Sequence, residues 1–313
     1  MSNLETPRVS CLLPVFNGEK YLDEAIASIL DQSLTDFELI VVDDGSTDST
    51  ASRLFDAARR DGRVRILQKA NGGIVSALNA GLAQCRAAYV ARMDADDVST
   101  PDRFAFQADY LDRRSECVLV GGLARSEALQ GRIVRQSTGG RYQKTDLSVF
   151  PPKIAVSVHP LIMVRRAALE AIGGYRDAYP HAEDYDLFIR LSRYGTIDNP
   201  AREVLFYRRH EGAVSVKNLV TQEVSAVRAE CDAIGETGAK PVGEWLIEPY
   251  TRLRIFRRLQ TIDIKEAGKH AARSVADLLS PSPRSLINRN YWRLRAVIAF
   301  TLMKFVIRRF AAS

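Results

Sequence analysis

Apolar residues in the first 125 positions alternate between two spacings. Short continuous runs at Val9–Pro14, Phe37–Val42, Val64–Leu67 and Tyr89–Met93 have the length and composition of buried strands. Between them, Gly18–Asp31 places Leu22, Ala25, Ile26, Ile29 and Leu30 at helical spacing, and Ile74–Cys85 reads as a third helix. Ser46 or Thr47 stands where a cap belongs for the intervening helix, which runs through Arg60. Thr100-Pro101-Asp102 offers a hydroxyl, a first-turn proline and an acid near a positive dipole end, which predicts a helix to about Arg114. Cys117–Gly121 is a further strand. Repeated strand–helix units predict an α/β fold whose sheet is mostly parallel and covered on both faces.

From about residue 122 the rhythm weakens. Gly139–Pro152 reads as loop, "SVHPLIMVRR" as an apolar strand, and Arg166–Ile172 as a short helix stopped by Gly173-Gly174. "HAEDYDLFIRLSRYG" is amphipathic, with Glu183, Asp184 and Asp186 in its first turn, and Val204–Arg208 is a last strand. Beyond about 215 the pattern is mostly helical. Two regions are therefore expected: an α/β domain over 1–215 and a basic helical region over 216–313.

Composition adds three constraints. With 46% hydrophobic and 26% charged residues, the 313-residue chain is an ordinary globular one. Its four cysteines, Cys11, Cys85, Cys117 and Cys231, lack metal-type spacing and read as thiols of a reducing compartment. Met1–Arg8 has no apolar core and no run of about 20 apolar residues exists, which together predict a cytoplasmic protein without a spanning helix. The charge is uneven. Residues 251–313 carry 14 Lys/Arg against 3 Asp/Glu, a net +11, so the rest is net −5. Such a tail points to an anionic partner.

In open α/β sheets ligands gather at the carboxyl ends of strands. Three strand ends here are polar: "PVFNGE", "DDGSTD" and "DADD". An isolated Asp-x-Asp is most often a set of caps or salt bridges, here with Arg92 or Arg103. In this context the acids can also converge on Mg²⁺ or Mn²⁺, which bind carboxylate and phosphate together. Asp43 and Asp44 read either as ordinary turn residues or as acceptors for a ribose hydroxyl or a base N–H. The first strand–helix turn, "PVFNGEKYL", has no GxGxxG, which disfavours a dinucleotide fold.

Six stretches occur in order over residues 9–215: "VSCLLPVFNGEKYLDEAIASILDQSLTDFELIVVDDGSTDST", "NGGIVSALNAGL", "YVARMDADDVSTPDR", "HPLIMVRRAALEAIGGY", "AEDYDLFIRL" and "YRRHEGAVS". With them the chain resembles inverting nucleotide-sugar glycosyltransferases of family 2, which have the GT-A fold. The resemblance implies a Rossmann-like, mostly parallel sheet flanked by helices, with a helical C-terminal extension. It implies that Pro14, Phe16 and Glu19 line the nucleotide pocket, that Asp44 binds the base with Asp43 in support, and that Asn71 and Gly72 lie near the nucleotide. Asp94 would face the ribose or donor sugar. Asp96 would ligate Mn²⁺ or Mg²⁺, with His210 completing the shell. Asp97 would cap the turn or orient Asp96.

Inverting transfer needs a base on the face opposite the nucleotide. The resemblance assigns it to Asp184 of the "ED" pair, beside Glu183 in the substrate site. Acids in a first helical turn also favour the dipole, and that reading suits Glu183 and Asp186. His159, Arg165 and Arg166 fit either the acceptor side or a structural role, while Trp245 and Trp292 fit helix packing better than sugar stacking.

The expected partners are a nucleotide-sugar donor, a UDP-sugar in the first instance, and a glycan or lipid-linked oligosaccharide acceptor of cell-surface polysaccharide synthesis. "YWRLRAVIAFTLMKFVIRRF", 291–310, has an uncharged centre too short to span a bilayer. It would either lie on an anionic membrane, on the inner face of the cytoplasmic membrane, or pack on the domain. No recognition motif accompanies the charge, so nucleic acid is not expected. The rival functions are a sugar nucleotidyltransferase and a non-catalytic binding subunit. The first usually has an early glycine- and arginine-rich phosphate loop, absent here; the second is expected to lose Asp96 or Asp184, both present.

Overall fold

The structure is a computed structural model that describes residues 6–127, 133–136, 140–142, 145–148, 152–208, 218–237, 250, 251 and 254. His210, Trp245, Trp292 and the 291–310 segment lie outside the described residues, as does the expected domain break near 215.

Strands β1 (Val9–Val15), β2 (Phe37–Asp43), β3 (Val64–Gln68) and β4 (Tyr89–Arg92) alternate with helices α1 (Leu22–Leu30), α2 (Thr50–Arg60) and α3 (Gly73–Leu82). Then come β5 (Val98–Ser99), α4 (Arg103–Asp112), β6 (Cys117–Val120), β7 (Leu123–Glu127), β8 (Ile133–Gln136) and β9 (Gly140–Tyr142). A 3₁₀ turn at His159–Leu161 precedes β10 (Met163–Arg165), α5 (Arg166–Ala171), α6 (Glu183–Leu191), β11 (Thr196–Asn199), β12 (Glu203–Phe206) and α7 (Leu219–Glu236).

The main sheet has eight strands in the order β3-β2-β1-β4-β10-β6-β11-β9. Neighbours run parallel except at β10 and β9, so six of the eight strands share one direction. A second sheet orders β5-β12-β7-β8.

Every residue of β1 and β2 is buried, and alternate residues enter different cores. Val9, Cys11, Leu13 and Val15 face a cluster built with α1, Leu54 of α2, and Phe104, Ala108 and Leu111 of α4. Leu12, Ile40 and Val42 face the other, with Val75 and Leu78 of α3, Leu169 of α5, and Leu187, Phe188 and Leu191. This is why the strands read as unbroken apolar runs rather than alternating ones. Each fully buried Leu or Ile contributes roughly 1.5–3 kcal/mol. α3 lies close on the sheet because Gly81 has no side chain: a Cβ there would stand 2.2 Å from Leu12 Cδ1. Pro14 is tolerated in a central strand because β1 pairs with β4 only as far as Leu12. The four cysteines are free thiols, three of them buried.

Several local expectations need correction. Gly139–Pro152 is not all loop, since β9 lies within it and Asp146 bridges to Lys153 just beyond it. "SVHPLIMVRR" is a 3₁₀ turn plus a three-residue strand. Ser46 and Thr47 do not cap α2, which starts at Thr50, and Thr100 does not cap α4, which starts at Arg103. Ser46 and Thr47 are instead drawn to a neighbouring loop. Arg165 and Arg166 take structural partners. Arg165 donates to the carbonyls of Leu111, Arg114 and Cys117, and Arg166 to that of Ala87.

The chain divides into two compact units. One comprises Met1–Thr145, Ala155–Asp177 and Leu187–Ala213; the other comprises Asp146–Ile154, Ala178–Asp186 and Val214–Ser313. Both sheets lie in the first.

Candidate active site

The loops after β1 and β2 are laced together. The Asn17 N–H donates to Ser46 Oγ at 2.9 Å, Gly18 N–H to Thr50 Oγ1 at 2.9 Å, and Glu19 N–H to Asp48 Oδ2 at 3.1 Å. In return Asn17 Oδ1 accepts the Thr47 N–H at 2.8 Å, and Glu19 Oε2 accepts the Ser49 N–H at 3.1 Å. Asn17 adopts a left-handed φ of 51° to do so. Of the residues expected to line a nucleotide pocket, Pro14 is buried inside β1 and Glu19 is engaged with Ser49. Phe16 is 53% exposed, a large apolar ring left in the open at a strand end.

β2 delivers its two acids to separate partners. Asp43 Oδ1 accepts the Ser46 N–H at 2.9 Å and Oδ2 accepts Gln68 Nε2 at 3.3 Å. Asp44 Oδ1 accepts Lys69 Nζ at 2.6 Å and the Gly72 N–H at 3.0 Å; Oδ2 accepts the Gly73 N–H at 2.8 Å. Asp44 thus satisfies donors that open α3, while Asn71 Nδ2 donates to its backbone carbonyl at 2.9 Å. Asp43, Asp44, Asn71 and Gly72 therefore lie together at the start of α3. Gly45 makes the approach possible: its φ is +79°, and a Cβ would meet Asn71 N at 2.7 Å.

β4 ends in the third group. Among the described residues, Asp94, Asp96 and Asp97 offer carboxylate oxygens that all lie within 4.8 Å of one another. Arg92, buried in the strand, reaches Asp94 Oδ1 at 2.5 Å. Asp97 Oδ1 accepts the Arg208 N–H at 3.0 Å, while Arg208 Nε donates to the Asp96 carbonyl at 2.9 Å. Asp97 Oδ2 is buried with no hydrogen-bond partner among the described residues. Burial raises the Asp94 carboxyl against the opposing pull of Arg92, with Asp96 adding to the rise. Burial, then Asp94 and Asp96, push Asp97 to about 8.

Behind the cluster Arg103 is fully buried and donates to the Arg92 carbonyl at 2.7 Å and to Gln107 Oε1 at 3.1 Å. His159 is buried, pairs its Nε2 with the Tyr175 hydroxyl at 2.9 Å, and has its pKa lowered by burial and by Arg92. Sequence reasoning missed Arg208 and the support role of Arg103. Arg208 stands in "YRRHEGAVS", two positions before His210.

The donor set suits a divalent cation. Three carboxylates with one buried unpaired oxygen make a hard, oxygen-only, electron-rich site, the preference of Mg²⁺ and Mn²⁺. Asp184 and Glu183 lie in the first turn of α6, both partly buried and both within the second unit. Asp184 Oδ1 accepts the N–H of Tyr185 at 2.7 Å.

A family model described as Glycosyl transferase family 2 matches residues 10–173. An uncharacterized glycosyltransferase of Haemophilus influenzae is 33% identical over 218 residues, 67% of this chain and 68% of that protein. A chondroitin synthase of Escherichia coli is 27% identical over 255 residues, 80% of this chain but 36% of that protein. The chain thus spans little more than a third of the synthase. Among solved structures, Staphylococcus aureus TarS 1–349 in complex with UDP-GlcNAc superposes with TM-score 0.59 at 19% identity, covering 87% of this chain and 80% of that one. A mannosyltransferase from Pyrobaculum calidifontis with GDP-Man and Mn²⁺ gives 0.60 at 16%, covering 98% and 88%. These superpositions show the GT-A type of fold.

Proposed function

The chain belongs to glycosyltransferase family 2 and is a glycosyltransferase, and from that premise we propose a metal-dependent, inverting enzyme that moves a sugar from a nucleotide diphosphate donor to a hydroxyl of a growing glycan or lipid-linked acceptor. The observation that carries the proposal is the carboxylate cluster at the end of β4, with a buried Asp97 oxygen that has no partner among the described residues.

In this reading Asp96 is the metal ligand and Asp94, oriented by Arg92, contacts the ribose or donor sugar. Asp97 orients the turn, and His210 completes the metal shell. A divalent ion held there neutralises charge on the diphosphate leaving group. Pro14, Phe16 and Glu19 line the nucleotide pocket, with Asn71 and Gly72 near it. Asp44 reads the base, supported by Asp43. A carboxylate has about four acceptor sites, and Asp44 uses three on Lys69, Gly72 and Gly73. One site on Oδ2 remains, which supports a base with a single imide N–H, hence a UDP-sugar, over guanine with two adjacent donors.

Asp184 is the base, with Glu183 beside it in the substrate site. The acceptor oxygen attacks the anomeric carbon, its proton passes to Asp184, and the bond to the diphosphate oxygen breaks as the nucleoside diphosphate leaves with the electron pair. The chondroitin synthase relative supports polysaccharide assembly as the setting.

Incubation with a panel of nucleotide-sugars, with and without Mn²⁺ and EDTA, tests the reading. UDP-sugar turnover that EDTA abolishes and Mn²⁺ restores is expected. Metal-independent turnover would remove the cation, and no turnover with any donor would favour a binding subunit. We also infer that the net +11 tail docks on an anionic membrane from the cytoplasmic side. No helix of the described residues is long and apolar enough to cross one. Truncation after Pro283 should abolish sedimentation with anionic vesicles; unchanged sedimentation would exclude the tail as anchor.

A further inference from the structure

The segment from Tyr179 to Asp186 carries Glu183 and Asp184, and two tyrosines fasten it to α7. The Tyr179 hydroxyl donates to Asp232 Oδ2 at 2.9 Å, and the Tyr185 hydroxyl donates to Glu230 Oε1 at 2.5 Å. Between them His181 takes a left-handed φ of 62°. A non-glycine residue held there costs on the order of 1 kcal/mol and persists only where its surroundings fix it. Anchors on both sides supply that constraint.

Behind Tyr185 stands a buried charge cluster. The Glu230 side chain is 1% exposed and ion-paired with Arg254, whose Nε also reaches Glu223 at 2.6 Å. The Arg254 guanidinium lies 5.1 Å from the Tyr185 ring centroid. An apolar cluster of the same volume would stabilise α7 as well or better. What the charges add is direction: a carboxylate oxygen fixed by Arg254 gives the Tyr185 hydroxyl one place to point. Tyr185 in turn donates its backbone N–H to Asp184 Oδ1 at 2.7 Å.

We propose that Tyr185 is a positioning residue for Asp184, held in place by Glu230 and Arg254, so that the region around α7 is part of the catalytic apparatus. The inference rests on the reading of Asp184 as the base. Its chemistry is orientation alone: the chain Arg254–Glu230–Tyr185 sets the first turn of α6, and with it the angle at which the Asp184 carboxylate meets the acceptor hydroxyl. Displacing such a group by about 1 Å costs on the order of a hundredfold in rate.

The test compares Y185F, E230A, E230Q and D184N in the same chain across a donor titration at saturating acceptor and Mn²⁺. Y185F and E230A should lower kcat roughly 10- to 100-fold with the donor KM unchanged, because orientation and not donor binding is lost. E230Q should recover most of kcat. Oε1 takes both the Tyr185 and Arg254 bonds while Oε2 has no hydrogen-bond partner among the described residues, so an amide in that orientation preserves both contacts. D184N should be inactive. A wild-type kcat in Y185F beside an inactive D184N overturns the positioning role and leaves the base in place. So does E230Q as impaired as E230A, since charge balance alone would then explain the cluster. Full turnover in D184N removes the base and the positioning role together. If Y185F does not fold, the contrast between E230A and E230Q decides.

Discussion

The two edges of the main sheet bury carboxylates in opposite ways. At the amino-terminal edge Glu38 is 3% exposed and accepts the Ser10 hydroxyl at 2.7 Å, the Arg86 N–H at 2.9 Å, Arg86 Nε at 3.0 Å and Arg65 Nη1 at 2.7 Å. Burial alone would raise its pKa, but these donors prevail and hold it below the ordinary value. At the carboxyl edge Asp97 is 1% exposed, accepts the Arg208 N–H, and keeps Oδ2 without a partner among the described residues. This fold can satisfy a buried acid, and at Glu38 it does. The Oδ2 of Asp97, without a partner among the described residues, therefore marks a place where those residues' own groups do not complete the structure, as expected where a ligand does.

The largest effect should separate the edges by function. Asp96→Asn should lower the rate of sugar transfer roughly a thousandfold, equivalent to about 4 kcal/mol. Its melting temperature should be no lower than that of the wild type, because one repelling charge has gone. A variant with normal transfer in Mn²⁺ would detach Asp96 from the chemistry. The next effect belongs to the other edge. Glu38→Ala leaves the Ser10 hydroxyl without its acceptor and two arginines without their acid. Arg65 and Arg86 are 38% and 44% exposed and can turn to water, so the loss should be about 2–3 kcal/mol of unfolding free energy, below that of a fully buried pair. Urea unfolding measures it, while turnover per folded molecule should hold.

The same contrast explains what could be read along the chain. β1, β2 and β4 were legible because both their faces are buried, which leaves runs such as Cys11-Leu12-Leu13 without interruption. The convergence of Asp94, Asp96 and Asp97 was legible from spacing on one turn. Contacts between distant segments were not. "STDST" contains cap residues, yet Ser46, Thr47, Asp48 and Thr50 meet Asn17, Gly18 and Glu19 about thirty positions away. The four-stranded sheet escaped notice because β5 is two residues long and has no period of its own. Arg103 is invisible as a core residue, since a guanidinium is buried only when carbonyls such as those of Arg92 and Ile162 receive it. The roles expected of Asp184 and His210 came from motif likeness, never from spacing.

The smallest effect is also the sharpest test, because the two acids should give stability opposite slopes with pH. Glu38 titrates lower in the folded chain than in the unfolded one. Its contribution is present above the unfolded value, about 4.3, and fades as pH falls through the folded one. Asp97 titrates near 8 when folded and about 3.9 when unfolded. Between those values the native state holds a proton that the unfolded chain has released, so metal-free stability should fall as pH rises through that window. Asp97→Asn should flatten this falling limb and stabilise the metal-free protein at about pH 8 by about 1 kcal/mol, a few degrees in melting temperature. Saturating Mn²⁺ should flatten it in the wild type, since a cation favours the ionised carboxylates. Glu38→Ala should erase the rising acid limb and leave the falling one. Melting curves taken across this range in EDTA and in Mn²⁺ separate the two limbs. A falling limb that persists in Asp97→Asn would mean that the Asp97 carboxyl is not what strains the carboxyl edge.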